Sequence, residues 1–433
     1  LMRFLPLMAV AICVVAPAAT TSSQVTFSKD VAPILQNNCQ GCHRPGEAAP
    51  FSLLTYQEAR PWAKAMKAAV LTKKMPPWFA DSSVGHFKND RTMSQKEVDT
   101  LVKWVDAGAP EGNPKDLPKP LAFVEGWNIG NPDMTLEMPQ AFDIPASGTV
   151  EYQYVILPQK FEKDTWVQMA EVRPGNRALV HHVIAFIRDG NAKWGRDHQP
   201  GEIFVPTANK NGDRPSLQGD MLAGYAPGLP ASKLEPGTAR LIKAGSDIVL
   251  QLHYTANGKA GVDQTKVGIV LAKEPPKERV MSLASSNGKF TIPPGDPNYQ
   301  VDSSFEIGHE ATLRALLPHM HQRGKDFEYR LVFPTGETQK ILSVPRYDFS
   351  WQLWYEPTQG IVLPKGTKVE CTAHYDNSPN NPHNPDATKA VKWGDQTWEE
   401  MMIGFFDVTF PADMDPKLLI PERKPAQKTA ANN

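Results

Sequence analysis

Histidines in the C-terminal two thirds of the chain have the type and spacing of metal ligands. His319 and His321 are separated by one residue after an apolar run, and residues two apart in a β-strand point to the same face. His181 and His182 are adjacent in a second apolar run, and His253 lies in a third. Since neighbours in a regular strand face opposite ways, His181 and His182 reach one metal only at a bulge or a strand end. We interpret these imidazoles, with a methionine near the end of the sequence, as ligands of two copper centres.

A c-type haem attachment motif, Cys-Gln-Gly-Cys-His, occupies residues 39–43. In such a motif, Cys39 and Cys42 form thioethers with the haem vinyl groups, and His43 ligates the iron from one side. A CxxC redox or zinc motif is the competing interpretation, but zinc would need a second ligand pair nearby and the sequence has none. The motif therefore predicts one covalently bound haem c.

The second axial ligand of the haem iron is predicted to be Met75. It precedes Pro76-Pro77, which would hold the thioether in a rigid segment downstream of the haem motif. His86 is the rival ligand, and a core methionine beside the haem is the alternative role for Met75. The other histidines are expected in loops or on the surface: His198, His309, His374 and His383.

The 433-residue chain has a balanced charge and many turn-forming residues. The 46 basic and 47 acidic residues give a net charge of −1, so nothing indicates nucleic acid or a membrane surface as a partner. Forty prolines and 30 glycines suit a loop-rich β protein, and the length suits about three domains.

Residues 1–19 are expected to be a signal peptide, with Arg3 before an apolar run and a small-residue cleavage site at 16–18. The apolar run is too short for a typical membrane span. A lipoprotein anchored at Cys13 is the alternative, but Cys13 lies inside the apolar run. The mature protein is therefore expected to be periplasmic or secreted, with no membrane span. Outside the signal and the haem motif only Cys371 remains, so core burial rather than disulfides must stabilise the fold.

The segment that contains the haem motif has the periodicity of helices. Ser28 is the expected cap of a first helix, and the capping boxes Thr55-x-x-Glu58 and Ser94-x-x-Glu97 predict the starts of two more. Three helices around a single CxxCH resemble the class I cytochrome c fold, which implies a small all-α cytochrome c domain over residues 25–117. The proline-rich residues 109–122 are expected to form a semi-stiff linker.

From residue 118 onward, the pattern is that of short strands separated by clusters of Gly, Pro, Asn and Asp. We expect two all-β antiparallel sandwich domains, jelly-roll-like, over residues 118–275 and 276–425. In the last strand but one, alternation points Cys371 inward and His374 outward. The expected strands are 149–157, 166–172, 179–187, 248–254, 267–271, 312–317, 327–333, 368–375 and 402–410.

The ordered set of ligand motifs resembles that of the copper type II, ascorbate-dependent monooxygenases. This family includes peptidylglycine α-hydroxylating monooxygenase and dopamine β-monooxygenase. The matching pieces, in the family's order, are His181-His182, the Leu-x-His-Tyr around His253, His319-x-His321 and Glu399-Glu400-Met401. The resemblance implies an electron-transfer copper held by His181, His182 and His253, and an oxygen-binding copper held by His319, His321 and Met401. Met402 is the alternative thioether, and a thioether favours Cu(I).

Two departures from the family concern the substrate and the disulfides. Peptide-amidating members clamp a substrate carboxylate with an arginine two residues before the HxH and a tyrosine four residues after the copper methionine. Those positions are Leu317 and Phe405 here. The animal enzymes also carry several disulfides in this region. The resemblance therefore implies the copper chemistry and leaves the substrate unknown.

Together these features predict an exported, haem c-fused dicopper monooxygenase that hydroxylates a C–H bond of a small organic substrate with O₂. Electrons from a small reductant or a redox protein would pass through the haem. One alternative is a non-catalytic electron-transfer protein that uses the same ligands. Another is a cytochrome-linked oxidase or reductase, in which electrons flow from copper to haem.

Overall fold

The structure, a computed structural model, describes residues 24–207, 217 and 219–421. The expected signal peptide, residues 1–19, lies outside the described residues. The described chain is mostly β, with several sheets and few helices. Within it, no helix is both long enough and apolar enough to cross a membrane.

Among the described residues, the α-helices all lie before the first strand. Their bounds are α1 (Ala32–Asn38), α2 (Tyr56–Ala59), α3 (Ala63–Leu71) and α4 (Gln95–Asp106). A π-helical turn occupies Phe27–Val31, and 3-10 turns occupy Arg60–Trp62, Pro114–Asp116 and Pro416–Leu419. We call residues 27–109 the helical unit, since the apolar side chains of its helices share one core around Leu35, Leu101 and Trp104.

Both predicted capping boxes are present, whereas the predicted cap at Ser28 is wrong. The Thr55 side chain accepts the N–H of Glu58, and α4 begins with the same reciprocal bonds. Ser28 instead lies buried inside the π-helical turn, where its N–H donates to the Glu111 carbonyl at 2.9 Å. The first helical turn instead begins after Thr26, whose N–H donates to Asp30 Oδ2 at 2.8 Å, and the returning chain accepts the N–H groups of Phe27 and Ser28.

The first part of the predicted linker packs back on the helices. The indole N–H of Trp104 donates to the Pro110 carbonyl at 2.9 Å, and the Tyr56 hydroxyl donates to the Ala109 carbonyl at 2.9 Å. Most residues from 112 to 122 are exposed. The exposed part of the linker thus begins after the helical core is closed.

Every strand that the sequence predicts overlaps an observed one. The strands are β1 (Met134–Glu137), β2 (Phe142–Ile144), β3 (Gln153–Lys160), β4 (Thr165–Arg173), β5 (Val180–Arg188), β6 (Ile203–Phe204), β7 (Asp220–Tyr225), β8 (Ser232–Lys233), β9 (Thr238–Ile242), β10 (Asp247–Tyr254), β11 (Gly261–Asp263), β12 (Lys266–Leu271), β13 (Glu278–Ser286), β14 (Thr291–Ile292), β15 (Tyr299–Glu306), β16 (Ala311–His319), β17 (Gly324–Val332), β18 (Thr338–Val344), β19 (Ile361–Leu363), β20 (Lys368–Tyr375), β21 (Val391–Lys392) and β22 (Ile403–Pro411). In β20, burial alternates as expected, with Cys371 inside. His374 faces the other way and its Nδ1 is 2.6 Å from Asp326.

One long sheet packs against two smaller ones through two separate cores. Its order is β1-β12-β4-β9-β13-β22-β16-β19, with β8 also paired to β4. The smaller sheets are β6-β3-β10-β5-β7 and β15-β20-β17-β18. One apolar core lies between the long sheet and the first of these, and a second core lies between the long sheet and the other. We call residues 134–271 the first β unit and residues 278–411 the second β unit.

The long sheet crosses from one β unit to the other through a parallel pair, which the sequence pattern does not predict. Glu278 of β13 pairs with Thr238 of β9, so two strand edges that would otherwise be exposed are joined. Beside this seam, Arg240 is buried, donates to Asp220 at 2.9 Å and contacts Asp407 of the second β unit. Neighbouring strands in the rest of the sheet run antiparallel.

The segment between α3 and α4 packs against the second β unit. Phe79 and Phe87 belong to the core of that unit, and the N–H of Asp81 donates to the Ser343 carbonyl at 2.8 Å. The helical unit is therefore held against the β units by its own internal segment as well as by the linker.

Candidate metal centres

Three histidines from two neighbouring strands, His181, His182 and His253, form a compact group that we call the histidine cluster. Their ligand nitrogens all lie within 4.8 Å of one another. The Nδ1 atoms of His181 and His182 are 3.1 Å apart, and those of His181 and His253 are 3.3 Å apart. Two nitrogens bound to one metal at about 2.0 to 2.1 Å with near-tetrahedral angles lie about 3.3 Å apart. The spacing therefore fits a single metal ion.

An irregularity in the pairing of β5 with β10 makes this convergence possible. His253 pairs with His182, whereas the next residue, Tyr254, pairs with Val180. His181 is therefore an extra residue on its strand, as in a β-bulge, and a bulge re-aims the side chains around it. The bulge or strand end that the sequence analysis required is present.

Aromatic rings and burial keep the cluster neutral. The Tyr152 ring lies 4.7 Å from the His253 ring with planes inclined by 26°, and Phe349 covers His181. Burial lowers the pKa of His181 to about 4 and the pKa values of His182 and His253 well below the usual range. Neutral imidazoles are the form that binds metal, so the cluster is ready for a cation at pH 7.

The second group, which we call the His pair, consists of His319 and His321. His319 ends β16, and the two ring centroids are 5.2 Å apart with planes at 88°. The Nδ1–H of His319 donates to Gln352 Oε1 at 2.9 Å, and that of His321 donates to the Glu399 carbonyl at 3.1 Å. Each bond selects the tautomer whose Nε2 carries the lone pair for a metal. Burial lowers the pKa of His319 and takes the pKa of His321 to about 3.

The buried side chain of Glu400 ties the His pair to Met401. Its Oε2 accepts the N–H of His321 at 2.8 Å, and its Oε1 accepts the N–H of Arg323 at 2.6 Å. The N–H of Met401 also donates to it. Burial raises the pKa of Glu400 to about 8, and these N–H groups and the Arg323 guanidinium oppose the shift. One side chain thus positions the backbone of both a histidine and the candidate thioether ligand.

The two candidate methionines have different surroundings. Met402 is completely buried in the core of the second β unit. Met401 is half-buried, and its carbonyl accepts the Tyr375 hydroxyl at 2.7 Å. Two residues later Ile403 pairs with His319, so the backbone of Met401 reaches the end of the strand that carries the His pair. Met401 is therefore the better placed of the two.

A loop that the sequence analysis did not single out contacts both histidine groups. We call residues 347–352 the bridging loop. Its Phe349 ring is 4.9 Å from the ring of His181 and 5.9 Å from that of His321. The two histidine rings are therefore no further apart than the sum of these distances. Gln352 of the same loop is the acceptor that orients His319.

The haem motif has features that fit a covalently bound haem. Cys39 and Cys42 are free thiols, and the Nδ1–H of His43 donates to the Phe51 carbonyl at 3.3 Å. This bond leaves Nε2 as the ligand atom. Phe51 stacks on Trp62 with centroids 4.0 Å apart, and Trp62 is 41% exposed. An apolar surface therefore adjoins the histidine that would ligate iron.

The two rival distal ligands lie on the segment that follows α3. Met75 is half-buried, and Arg346 of the second β unit donates to the carbonyl of Lys73 at 2.7 Å just before it. The side chain of His86 is exposed, and its carbonyl accepts the N–H of Thr358 at 2.8 Å. The half-buried thioether suits a haem ligand better than the exposed imidazole.

The structure pairs the two residues that replace the family's carboxylate clamp. Leu317 of β16 lies opposite Phe405 of β22, and the Phe405 ring is 6.2 Å from that of His319. The neighbourhood of the His pair is therefore apolar at these two positions.

Sequence reasoning missed most residues that surround the ligands. Tyr152, Phe349 and Gln352 lie far from the histidines in sequence, and no ligand motif includes them. The aromatic run Tyr-Asp-Phe-Ser-Trp of the bridging loop is the one available signal. Glu400 stood inside the Glu-Glu-Met motif, but its role depends on a contact with His321.

Comparisons with known proteins leave the site to be interpreted from its own geometry. No family model matches the chain, and no curated protein is significantly similar to it. A structure of infectious bursal disease virus Gx strain shares 10% identity over 66% of this chain and 74% of that chain, with a TM-score of 0.20. A structure of PNGF-II shares 11% identity over 65% of each chain, with a TM-score of 0.29. Scores this low carry no argument about fold or function.

Proposed function

We propose that the protein is an exported, haem c-containing dicopper monooxygenase that hydroxylates a C–H bond of a small organic substrate. The observation that carries the proposal is the proximity of two unlike histidine sites, with Phe349 in contact with both. One site offers three imidazoles, and the other offers two imidazoles beside Met401. These are the ligand sets that the resemblance to the copper type II monooxygenases implies.

The proposal extends to the domains. The helical unit would be a class I-like cytochrome c domain over residues 25–117. The β units would be jelly-roll-like sandwiches over residues 118–275 and 276–425. The single core of the helical unit and the two β cores support this division.

The protein's own residues prepare both metal sites. Bound copper would supply one-electron transfer at the histidine cluster and O₂ activation at the His pair, with haem c as the electron source. Tyr152 and Phe349 cover the imidazoles of the cluster and limit the access of water. Gln352 and Glu399 hold the tautomers of the His pair, and Glu400 holds the backbone that leads to Met401.

A direct contact supports electron delivery from the haem motif to the histidine cluster. Glu47, four residues after His43, forms an ion pair with Arg177, four residues before His181. The haem-attachment loop therefore lies against the loop that leads into β5. Tethering of the helical unit keeps this contact intramolecular, which raises the effective concentration of donor and acceptor.

A non-catalytic electron-transfer protein is the second candidate. The observation that favours it is burial, because His182, His253 and His321 are 4%, 6% and 1% exposed. An electron carrier works through buried ligands, whereas an oxygenase must admit a substrate to the His pair. The two functions differ in what they do with O₂.

The deciding experiment measures copper, haem and oxygen in the purified protein. We expect two copper ions and one haem per chain, and O₂ uptake that starts when a reductant and an oxidisable organic compound are both present. Isotopically labelled O₂ should place one oxygen atom in the product. Oxidation of the reductant without a labelled product would favour the electron carrier. A protein that binds haem but no copper would contradict both.

A further inference from the structure

The hydroxyl of Tyr347, at the start of the bridging loop, makes three hydrogen bonds beside the His pair. It donates to the carbonyl of Met320 at 2.7 Å and accepts the N–H of Met320 at 3.1 Å. It also accepts an N–H of the Gln352 side chain at 3.1 Å. A phenolic hydroxyl has one proton to donate and two positions at which it accepts. These three bonds therefore use the hydrogen-bonding capacity of Tyr347 completely.

Close packing determines where this hydroxyl lies. Tyr347 is 8% exposed, Gln352 is 7% exposed and Met320 is completely buried. The N–H of Tyr347 donates to the Lys325 carbonyl at 2.8 Å, which fixes the backbone at the start of the bridging loop. A Cβ atom at Gly324 would lie only 2.8 Å from the Tyr347 ring and 2.8 Å from Met320 Cβ, so the glycine leaves the space for their contact. The hydroxyl is thus held in one position by its surroundings.

The directions of these bonds determine the tautomer of His319. A carbonyl oxygen only accepts, so the single proton of the Tyr347 hydroxyl points to Met320, and its oxygen must receive an N–H from Gln352. The amide nitrogen of Gln352 also donates to the Phe349 carbonyl at 2.9 Å. The amide oxygen therefore faces His319 and accepts its Nδ1–H at 2.9 Å. The lone pair of the His319 ring is left on Nε2, the atom that would bind the metal.

The second effect of Tyr347 is on the backbone between the two histidines. Met320 is the residue between His319 and His321, and both its N–H and its carbonyl are bonded to the one phenolic oxygen. Rotation of the backbone at Met320 therefore breaks at least one of these bonds. The ring of His321 is held separately, because its Nδ1–H donates to the Glu399 carbonyl at 3.1 Å. Only one of the two rings thus depends on Tyr347 for its tautomer.

We infer that Tyr347 is a positioning residue of the His pair. It fixes the ring of His319 through Gln352, and it fixes the backbone that joins the two histidines through Met320. A neutral imidazole in the other tautomer must move its proton before Nε2 can bind a metal, so a fixed tautomer favours binding. Only this consequence for metal affinity rests on the proposed function. The tautomer of His319 and the order of the Met320 backbone are properties of the metal-free protein.

The test compares Tyr347→Phe with wild type in the full-length protein. This substitution removes the hydroxyl group and keeps the phenyl ring in the core. Tyr355→Phe is the matched control, because Tyr355 is a buried tyrosine of the same core whose hydroxyl bonds to the backbone of Phe79. Nitrogen chemical shifts of the histidine rings, measured by NMR spectroscopy without metal, report the tautomers. Amide hydrogen exchange reports how strongly the Met320 N–H is protected.

In Tyr347→Phe, we expect the His319 ring to become a mixture of tautomers, because the Gln352 amide keeps only the Phe349 carbonyl as an acceptor. Exchange of the Met320 N–H should become about tenfold faster or more, since it has lost its acceptor. His321 should keep its tautomer. A general loosening of the core would alter both rings or neither, so the difference between the two rings identifies a positioning role.

Gln352→Leu tests the route from Tyr347 to His319. The variant should produce a mixture of tautomers at His319 and leave the Met320 N–H protected, because Tyr347 still holds that backbone. Adding Tyr347→Phe should change the His319 ring no further but should release Met320, as expected for residues of one hydrogen-bond network. If Tyr347→Phe yields no folded protein, Gln352→Leu decides alone, and exposure of the Met320 N–H in that variant counts against the inference.

Copper titration, with electron paramagnetic resonance to distinguish the two sites, measures the consequence for metal binding. The affinity of the His pair should fall by about 10- to 100-fold in Tyr347→Phe, the usual effect of losing a group that orients a ligand, while the histidine cluster is unchanged. If wild type binds no copper at the His pair, the proposed function fails, and the metal-free measurements alone decide the inference. The inference is overturned if His319 and Met320 behave alike in Tyr347→Phe and Tyr355→Phe, or if these two variants bind copper equally well at the His pair.

Discussion

The ring of Phe349 is stacked on the ring of His181, with centroids 4.9 Å apart and planes inclined by only 15°. The same phenyl ring meets His321 nearly at right angles, with an interplanar angle of 78°. Phe349 therefore contacts His181 of the first β unit and His321 of the second, which are candidate ligands of the two different metal sites. Its ring contacts both histidine groups, so this position can be substituted without changing a candidate ligand of either one.

Phe349→Leu should slow electron transfer between the two sites while leaving both filled with metal. The ligands are untouched, and a volume-similar apolar exchange costs less than about 1.5 kcal/mol of stability. The measurement is rapid mixing of the pre-reduced protein with O₂, with copper content determined in parallel. Phe333→Leu is the control, since Phe333 packs against the core of the second β unit without a contact to the histidines. Equal oxidation rates in both variants would show that the phenyl ring is not part of the route.

His253→Ala should reduce the copper content from two ions per chain to one. The histidine cluster would keep two ligands of three, whereas the His pair and Met401 are unchanged. Copper analysis and electron paramagnetic resonance check the number and type of remaining sites. His198→Ala serves as the control, because His198 stacks on Phe204 and bonds Glu202 away from both groups. Retention of both copper ions in His253→Ala would contradict the assignment.

Glu400→Gln should weaken metal binding at the His pair and destabilise the fold. The amide has one acceptor oxygen where the carboxyl group receives the N–H groups of His321, Arg323 and Met401. A buried donor left without a partner costs about 1 to 3 kcal/mol. Loss of a partner that orients the ligands typically costs 10- to 100-fold in metal affinity. Chemical unfolding measures the loss of stability and copper titration measures the loss of metal affinity, with the exposed Glu306→Gln as the control. Unchanged copper affinity would show that Glu400 is structural only.

Met75→Ala should lower the haem potential and change the visible spectrum, whereas His86→Ala should change neither. Met/His ligation gives a high potential, and Met75 is the half-buried candidate while His86 is exposed. Spectroelectrochemistry of the haem-loaded protein compares both variants with wild type. A spectrum that responds to His86→Ala and ignores Met75→Ala would reverse the assignment.

Glycine-extended peptides should not be substrates. Leu317 and Phe405 face each other near His319, so a substrate carboxylate at this place would lack the partner that the amidating enzymes provide. Burying the peptide carboxylate without a partner would cost roughly several kcal/mol or more of binding free energy, which is enough to abolish binding of the peptide. Product analysis would compare a peptidylglycine with a neutral aromatic compound under identical reducing conditions. Efficient amidation of the peptide would disprove the prediction.

The sequence by itself determined the elements and the types of the ligands. Capping boxes such as Thr55–Glu58 involve residues within one turn, and alternation in β20 places Cys371 inside, so neighbouring residues suffice to predict them. The CxxCH motif is equally local. Ser28 shows the limit of this reasoning, because it lies buried inside the first helical turn and its N–H donates to a carbonyl at residue 111, which only the folded chain brings there.

Only the tertiary structure decided which residues meet. His181 and His253 are 72 residues apart, and Glu47 is 130 residues from Arg177. Their contacts depend on strand register, on the bulge at His181 and on how the units pack, none of which hydrophobic periodicity specifies. Phe349 could not be found from sequence for the same reason. The role of this loop residue depends on its contacts with His181 and His321, and only long-range packing brings these two histidines to it.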